Sequence, residues 1–227
     1  MKSKMQNREA KRQALLAVAA ELIVRDGPKG LSIKDLAERA QMVRTNVYMI
    51  FGSSDPKDRM FKIIVDGFLE KAQNSIATAV VSSTPTSSAV EKLTAVLRIT
   101  LHLFKEDSRS GKVVLTHLDM KHEAFQPIHQ IFKYVDLLIG KALENREIVV
   151  GLPASQIRQI LFSVMYGLLR ALYLDHEEGK TVENQDEVIS ETSVQLGVLH
   201  VLSGFCSPTI RAQVESQMAA LKVSAGK

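Results

Sequence analysis

Leu31-Ser32-Ile33-Lys34-Asp35-Leu36-Ala37-Glu38-Arg39-Ala40, then Gln41-Met42, then Val43-Arg44-Thr45-Asn46-Val47-Tyr48-Met49-Ile50 is the stretch that decides the fold. Ser32 stands before an apolar helical period of Ile33, Leu36, Ala37 and Ala40. Asp35 follows three residues later, so the pair predicts a capping box with Asp in place of the usual Glu. Gln41-Met42 leaves room only for a tight turn. A second short helix follows over 43–50, with Val47 and Ile50 inward. Arg44, Thr45, Asn46, Tyr48 and Met49 are left on its outer face and N-terminal turn. Two short helices across a tight turn make the helix-turn-helix pattern.

Upstream, a bracing helix is expected over 8–25, with Leu15, Val18, Ala19 and Leu22 on one face. Asp26-Gly27-Pro28 stops it, since Gly27 tolerates a left-handed cap and Pro28 cannot continue the helix. Downstream, Ser54-Asp55-Pro56 opens a fourth helix: a capping side chain precedes a first-turn proline. That helix carries Met60, Ile63, Ile64, Gly67 and Phe68 and runs to about Val80. A Ser/Thr/Pro loop occupies 82–88. Further helices are expected over 89–105, 112–121, 124–149, 153–177, 187–205 and 208–222, punctuated by Gly111, Pro153, Gly179 and Pro208. Strand patterns are almost absent, and there is no internal repeat or low-complexity tail. The fold class is therefore all-α, with a three-helix domain over 1–55 and a larger helical domain over 56–227.

The chain has 227 residues, 45% hydrophobic and 24% charged, enough to bury a sizeable core without disulfide or metal. Its single cysteine, Cys206, has no internal partner and no basic neighbour, and reads as a structural thiol in a reducing compartment. Charge is uneven. Residues 1–60 hold twelve Lys/Arg against seven Asp/Glu, or +5, so the rest sums to −1 of the total +4. A positive end suits an anionic partner, and equally an ordinary solvated helical surface. The start of the chain is basic without an apolar core, which excludes a signal peptide. The longest uncharged apolar run, 159–169, falls short of the roughly 18 residues a spanning helix needs. The expected setting is cytoplasmic, nucleoid-associated when bound to DNA.

Enzyme signatures are missing: no Gly-rich phosphate loop, no Gly-x-Ser-x-Gly and no reactive Cys context. No catalytic residue and no cofactor are assigned. His117, His122 and His129 lack a zinc-helix spacing, so no metal is assigned. The outer face of the second short helix has different chemistry. Arg pairs bidentately with guanine, Asn with adenine, and a Thr or Met methyl touches thymine. Tyr48 suits a phosphate oxygen, because its ring packs while its hydroxyl donates. Taken alone, these residues fit a trihelical packing unit with a polar face as well as a DNA reader.

The segment from Ala14 to about Leu69 resembles the DNA-binding domain of the TetR family of transcriptional regulators. The residues carrying the resemblance are Ala20-Glu21-Leu22-Ile23 with Gly27, Leu31 through Ala40, Val47-Tyr48-x-x-Phe51, and Lys57-Asp58-x-x-Phe61. It implies a ligand-responsive regulator, a repressor, that binds a near-palindromic double-stranded DNA operator as a homodimer. The alternative is a helical-bundle interaction protein of the same fold that has lost specific DNA binding. The implied contacts are Ser32 at a helix N-terminus on phosphate, Arg44, Thr45 and Asn46 on bases, and Tyr48 and Lys57 on phosphate. Lys2, Lys4, Arg8, Lys11 and Arg12 either reach flanking DNA or form a solubilising tail. The chain departs from the family at Gln41, where Gly is usual, and at Val43, where Ser or Thr usually caps. Other departures are Thr45, Asn46, Ile50 and a 52–56 segment about two residues longer. A left-handed Gln costs about 1 kcal/mol or more.

In the larger half, residues 154–174 are apolar nearly all round, and such a helix in water must be covered on both sides. Ser163, Gly167 and Ala171 form a small-residue stripe, matched by Ser193, Gly197 and Gly204 with Val201 between. These stripes predict pairing of two helices with their copies in a homodimer; a single crowded core in one subunit is the other reading. The resemblance implies the same four-helix interface. It also implies a small effector, largely apolar, with Phe104, His117, Phe125, Phe132 and Tyr166 as candidate lining. Aromatics at helical spacing serve equally as core.

Overall fold

The structure is a computed structural model and describes residues 2–81, 87–118, 123–174 and 190–225. His122, Gly179 and most of the 82–88 loop lie outside the described residues, as do the side chains of Lys2 and Lys4. The helices in chain order are α1 (Lys2–Gly30), α2 (Ile33–Arg39), α3 (Arg44–Phe51), α4 (Pro56–Val81), α5 (Ala89–Glu106) and α6 (Ser108–His117). A 3-10 turn (Glu123–Phe125) follows, then α7 (Gln126–Glu144), α8 (Ala154–Tyr173), α9 (Glu191–Phe205) and α10 (Pro208–Ala225). Among the described residues the only β-type pairing is an isolated bridge, Ile148 with Cys206. The fold is all-α, with an N-terminal helix-turn-helix followed by a larger helical part. No helix among the described residues is long and apolar enough to cross a membrane.

The chain forms two compact units, one of Met1–Glu70 with Asp107–Pro127, the other of Lys71–Glu106 with Ile128–Lys227. In the first, Leu15, Leu22, Ile23, Leu31, Leu36, Val47, Phe51 and Met60 are essentially fully buried. Each such side chain contributes about 1.5–3 kcal/mol by leaving water. α1 packs on α6 and braces α2 and α3. Gly27 breaks α1 with φ 76° and ψ 164°, and Pro28 follows within one further turn. Gly27 thus has the positive φ expected of it, without the left-handed helical ψ.

α2 ends in a two-bond motif. Met42 N donates to Ala37 O at 2.8 Å and Gln41 N to Glu38 O at 3.1 Å. Gln41 takes φ 53°, so the left-handed position usually given to Gly after a helix is held here by Gln. α7 ends the same way: Glu147 N donates to Ala142 O at 2.8 Å and Arg146 N to Leu143 O at 3.1 Å, with Arg146 at φ 57°. The helix expected to reach 149 therefore stops at Glu144, and no Gly marks the stop in the sequence.

Two other expectations are corrected. The helix placed at 112–121 begins at Ser108, because Asp107 caps it, accepting from Ser110 N at 3.3 Å. Gly111 lies buried inside that helix and does not break it. Ile50 is only half-buried; Phe51, one residue later, is the second inward anchor of α3.

In the second unit, α9 packs against α5, α8 and α10. The α7–α8 and α9–α10 connections are stapled together: Val149 N donates to Phe205 O at 2.9 Å and Ser207 N to Glu147 O at 2.8 Å. Cys206 is buried there, its Sγ 3.2 Å from Leu202 O. Burial pushes its thiol up to about 11, opposed by Arg211 and reinforced by Glu147.

Candidate nucleic-acid interface

Ser32 opens α2 as expected, its Oγ accepting from Asp35 N at 3.2 Å. The Asp35 carboxylate does not complete a capping box. It accepts instead from Arg25 Nη2 and Arg39 Nε, each at 3.2 Å. This exposed network ties α1 to α2. Arg25 also donates from Nε to Asp26 Oδ1 at 2.7 Å, and that bond to Asp26 leads in holding its guanidinium protonated.

α3 presents its outer face as its spacing dictates. Val47 and Phe51 turn inward one helical turn apart. Arg44 and Thr45 are exposed, Asn46 is half-buried, and Tyr48 is 42% exposed. Met49 at 66% and Val43 at 63% are the exposed large apolar side chains beside them. Isolated exposed apolar side chains are ordinary on a protein surface, and their methyl groups also suit contact with the thymine methyl. Val43 occupies the N-cap with no side-chain hydrogen bond, as its chemistry dictates. Of the first-turn amides of α3, that of Asn46 donates to Val43 O at 2.9 Å, and none has the Ser or Thr side-chain partner of a capped helix.

The basic residues around this face differ in their engagement. Lys57 Nζ lies 3.4 Å from Lys29 O, at the end of α1. Arg12 pairs with Glu9 at 3.1 Å, and Gln13 with the same carboxylate at 2.7 Å. Arg8 reaches Met49 O at 3.5 Å. Arg59, which the sequence reading did not single out, donates from Nη1 to Phe51 O at 2.6 Å. Only its position in the first turn of α4 hinted at such a role. Asp55 caps α4, accepting from Asp58 N at 3.2 Å.

The five candidate effector residues are divided between the two units. His117 and Phe125 belong to the first unit, each packed edge-on against Phe61 at 6.2 Å between ring centroids. His117 Nε2 also lies 2.8 Å from Ile23 O. In the second unit, Phe104 packs on Tyr173 at 5.9 Å. Phe132 meets Phe162 edge-on at 5.0 Å, and Phe162 stacks on Tyr166 at 6.1 Å. Arg158 lies 4.5 Å over the Phe132 ring and bonds Asp136 at 2.8 Å. Tyr134, missed by the sequence reading, has a buried hydroxyl with no hydrogen-bond partner among the described residues, and burial pushes its pKa up. An open cleft of about 700 Å³ in the same unit is lined by Thr94, Arg98, Gln195 and Gln217 among others, and by none of the five.

α8 has only Ile157 and Leu169 fully buried along its apolar length. Ser163 and Gly167 are exposed, Ala171 and Val201 half-buried, and Ile160 is 37% exposed. A Cβ on Gly167 or Gly204 would meet nothing within 4 Å, whereas one on Gly197 would lie 2.8 Å from Leu168 Cδ1. Gly197 thus faces Leu168 of α8 within its own chain. Ser193 completes a capping box with Ser190, accepting from its backbone N at 3.4 Å.

No protein-family model matches the chain, and no curated protein matches it either. Solved structures do. A gamma-butyrolactone receptor (ArpA-like protein) superposes with TM-score 0.72 at 14% identity, covering 96% of this chain and 99% of that one. The ketosteroid transcriptional regulator KstR2 of Mycobacterium tuberculosis gives 0.68 at 16% identity, over 86% and 95%. The TetR-family protein CprB from S. coelicolor A3(2) gives 0.67 at 14% identity, over 95% and 98%. With near-complete coverage of both chains, this protein has the fold of the TetR-family transcription regulators.

Proposed function

We propose that the chain is a TetR-family transcription regulator, a repressor, that binds a near-palindromic DNA operator as a homodimer and answers to a small, largely apolar effector. The observation that carries this reading is the α3 face. Arg44, Thr45, Asn46, Tyr48 and Met49 lie together on a short helix braced from behind by Val47 and Phe51. DNA reading is assigned to residues 1–55. Arg44, Thr45 and Asn46 address bases, while Ser32, Tyr48 and Lys57 hold phosphates. Effector binding and dimerisation are assigned to 56–227.

The under-buried apolar surface of α8 supports dimerisation, with Ser163, Gly167 and Ala171 of α8 and Ser193, Gly197 and Val201 of α9 at the contact. A second copy is the cover that a two-fold axis supplies. Phe104, His117, Phe125, Phe132 and Tyr166 are the candidate effector lining, and the buried Tyr134 hydroxyl, without a partner among the described residues, is suited to an effector oxygen. Effector and operator affinities should be coupled by about 1–3 kcal/mol, reciprocally.

The deciding experiment is a binding titration of the full chain on its own upstream DNA against scrambled duplex. Saturable preference for the upstream DNA supports the regulator. Equal, weak, salt-sensitive binding to both supports the alternative, a protein of this fold without specific DNA recognition.

A further inference from the structure

The last carbonyls of a helix have no partner within it and must find donors elsewhere. At the end of α3 two of these carbonyls meet guanidinium groups, one from α4 and one from α1. Arg59 Nη1, from the first turn of α4, sits 2.6 Å from Phe51 O, and Arg8 Nη2, from α1, sits 3.5 Å from Met49 O. The Arg59 bond is the short, part-buried one. A cation at this end of the helix is also favoured by the helix dipole.

The turn between α3 and α4 is built around this contact. Gly52 has φ 83°, and a Cβ added there would lie 2.6 Å from Arg59 Nη1. The space a side chain would fill is taken by the guanidinium. Asp55, at φ 43°, caps α4 and sets the turn from which Arg59 reaches back.

We infer that Arg59 is a positioning residue for DNA recognition. It pins the C-terminal end of α3 to α4 across the lengthened turn, and so fixes the pitch at which Arg44, Thr45 and Asn46 meet base edges. It does this without touching DNA. This inference rests on the reading of α3 as a DNA reader.

The test uses the full chain, a duplex selected from a random pool, and titrations at several salt concentrations on selected and scrambled DNA. Arg59→Met keeps an unbranched stem and removes the donors; Arg59→Lys keeps the charge and a single donor nitrogen. Arg59→Met is expected to lose about tenfold in affinity for the selected site and to relax base preference. Affinity for scrambled DNA and the salt slope should stay unchanged, and Arg59→Lys should recover part of the loss. Amide hydrogen exchange of residues 49–52 in the free protein should quicken in Arg59→Met. Equal loss on scrambled DNA with a salt slope lower by about one would make Arg59 a phosphate contact and overturn the inference. Unchanged exchange would overturn it as well. If the unmodified protein selects no sequence, the DNA-binding reading fails by itself, and the exchange measurement still decides whether Arg59 orders the end of α3.

Discussion

Glu147 Oε2 lies 2.9 Å from the backbone nitrogen of Val90, 57 residues away in sequence, and so caps α5 from the end of α7. The other oxygen of the same carboxylate accepts from Ala89 N at 3.2 Å and Asn145 Nδ2 at 3.3 Å. Its backbone O takes Ser207 N at 2.8 Å. One largely buried residue thus joins the start of α5, the end of α7 and the α9–α10 connection. Glu147→Ala strands two buried amides and should cost about 2–3 kcal/mol. Glu147→Gln, which keeps an acceptor, should cost less. Urea unfolding of both variants checks the order; equal stability of Glu147→Ala and the unmodified chain would remove Glu147 as a structural cap.

Gly167 and Gly197 should fail differently. Open space beyond Gly167 lets one subunit accept Phe there, so Gly167→Phe should weaken the dimer by about 1–3 kcal/mol and leave the subunit fold intact. Gly197→Phe should drive α9 off Leu168 and lower the melting temperature. Light scattering with circular dichroism separates the two, and a monomer at micromolar concentration for the unmodified chain would count against the α8 pairing.

Arg44 and Lys57 carry different assigned duties on DNA. Arg44→Ala should cost about 1–3 kcal/mol on the specific site and relax preference at one base pair. Lys57→Ala should weaken specific and scrambled binding alike and flatten the salt dependence by about one unit. An unaltered salt slope would mean that Lys57 stays on Lys29 O, moved from the phosphates by the longer turn before it.

Alkali should destabilise the second unit. Cys206 is pushed up to about 11, chiefly by burial. Tyr173 is pushed to about 12, first by burial and then by Glu191. Both groups hold their protons more tightly folded than unfolded, so the folded state binds more protons in this range. Stability is therefore complete below pH 9 and falls as pH rises through 11 to 12. Cys206→Ser should shrink the loss, and Cys206 should resist alkylation at pH 7 until the chain unfolds. Rapid labelling of the folded chain would contradict that burial.

Local chemistry was enough to fix the helix-turn-helix from the sequence. Ser32 caps, Leu36 and Ala37 repeat at helical spacing, Val47 points inward, and Arg44, Thr45 and Tyr48 are left outward, all within a few residues of chain. The same locality placed the starts of α4 and α10 at Pro56 and Pro208 and that of α8 just after its N-cap, Pro153. Only the tertiary structure decided the rest. Gln41 and Arg146 hold left-handed positions without Gly, because the carbonyls of Ala37 and Ala142 bind the amides beyond them. Phe51 rather than Ile50 fills the core behind α3, since side-chain burial depends on what packs there. The ring partners of the aromatic candidates, Phe61 for Phe125, Tyr173 for Phe104 and Phe162 for Phe132, were likewise decided by packing, because helical spacing names a face and not the neighbour that meets it. Glu147 on Val90 and Arg59 on Phe51 join positions 57 and 8 residues apart. Which carbonyl or amide meets a distant side chain is set by how helices pack, and no local pattern in the sequence encodes it.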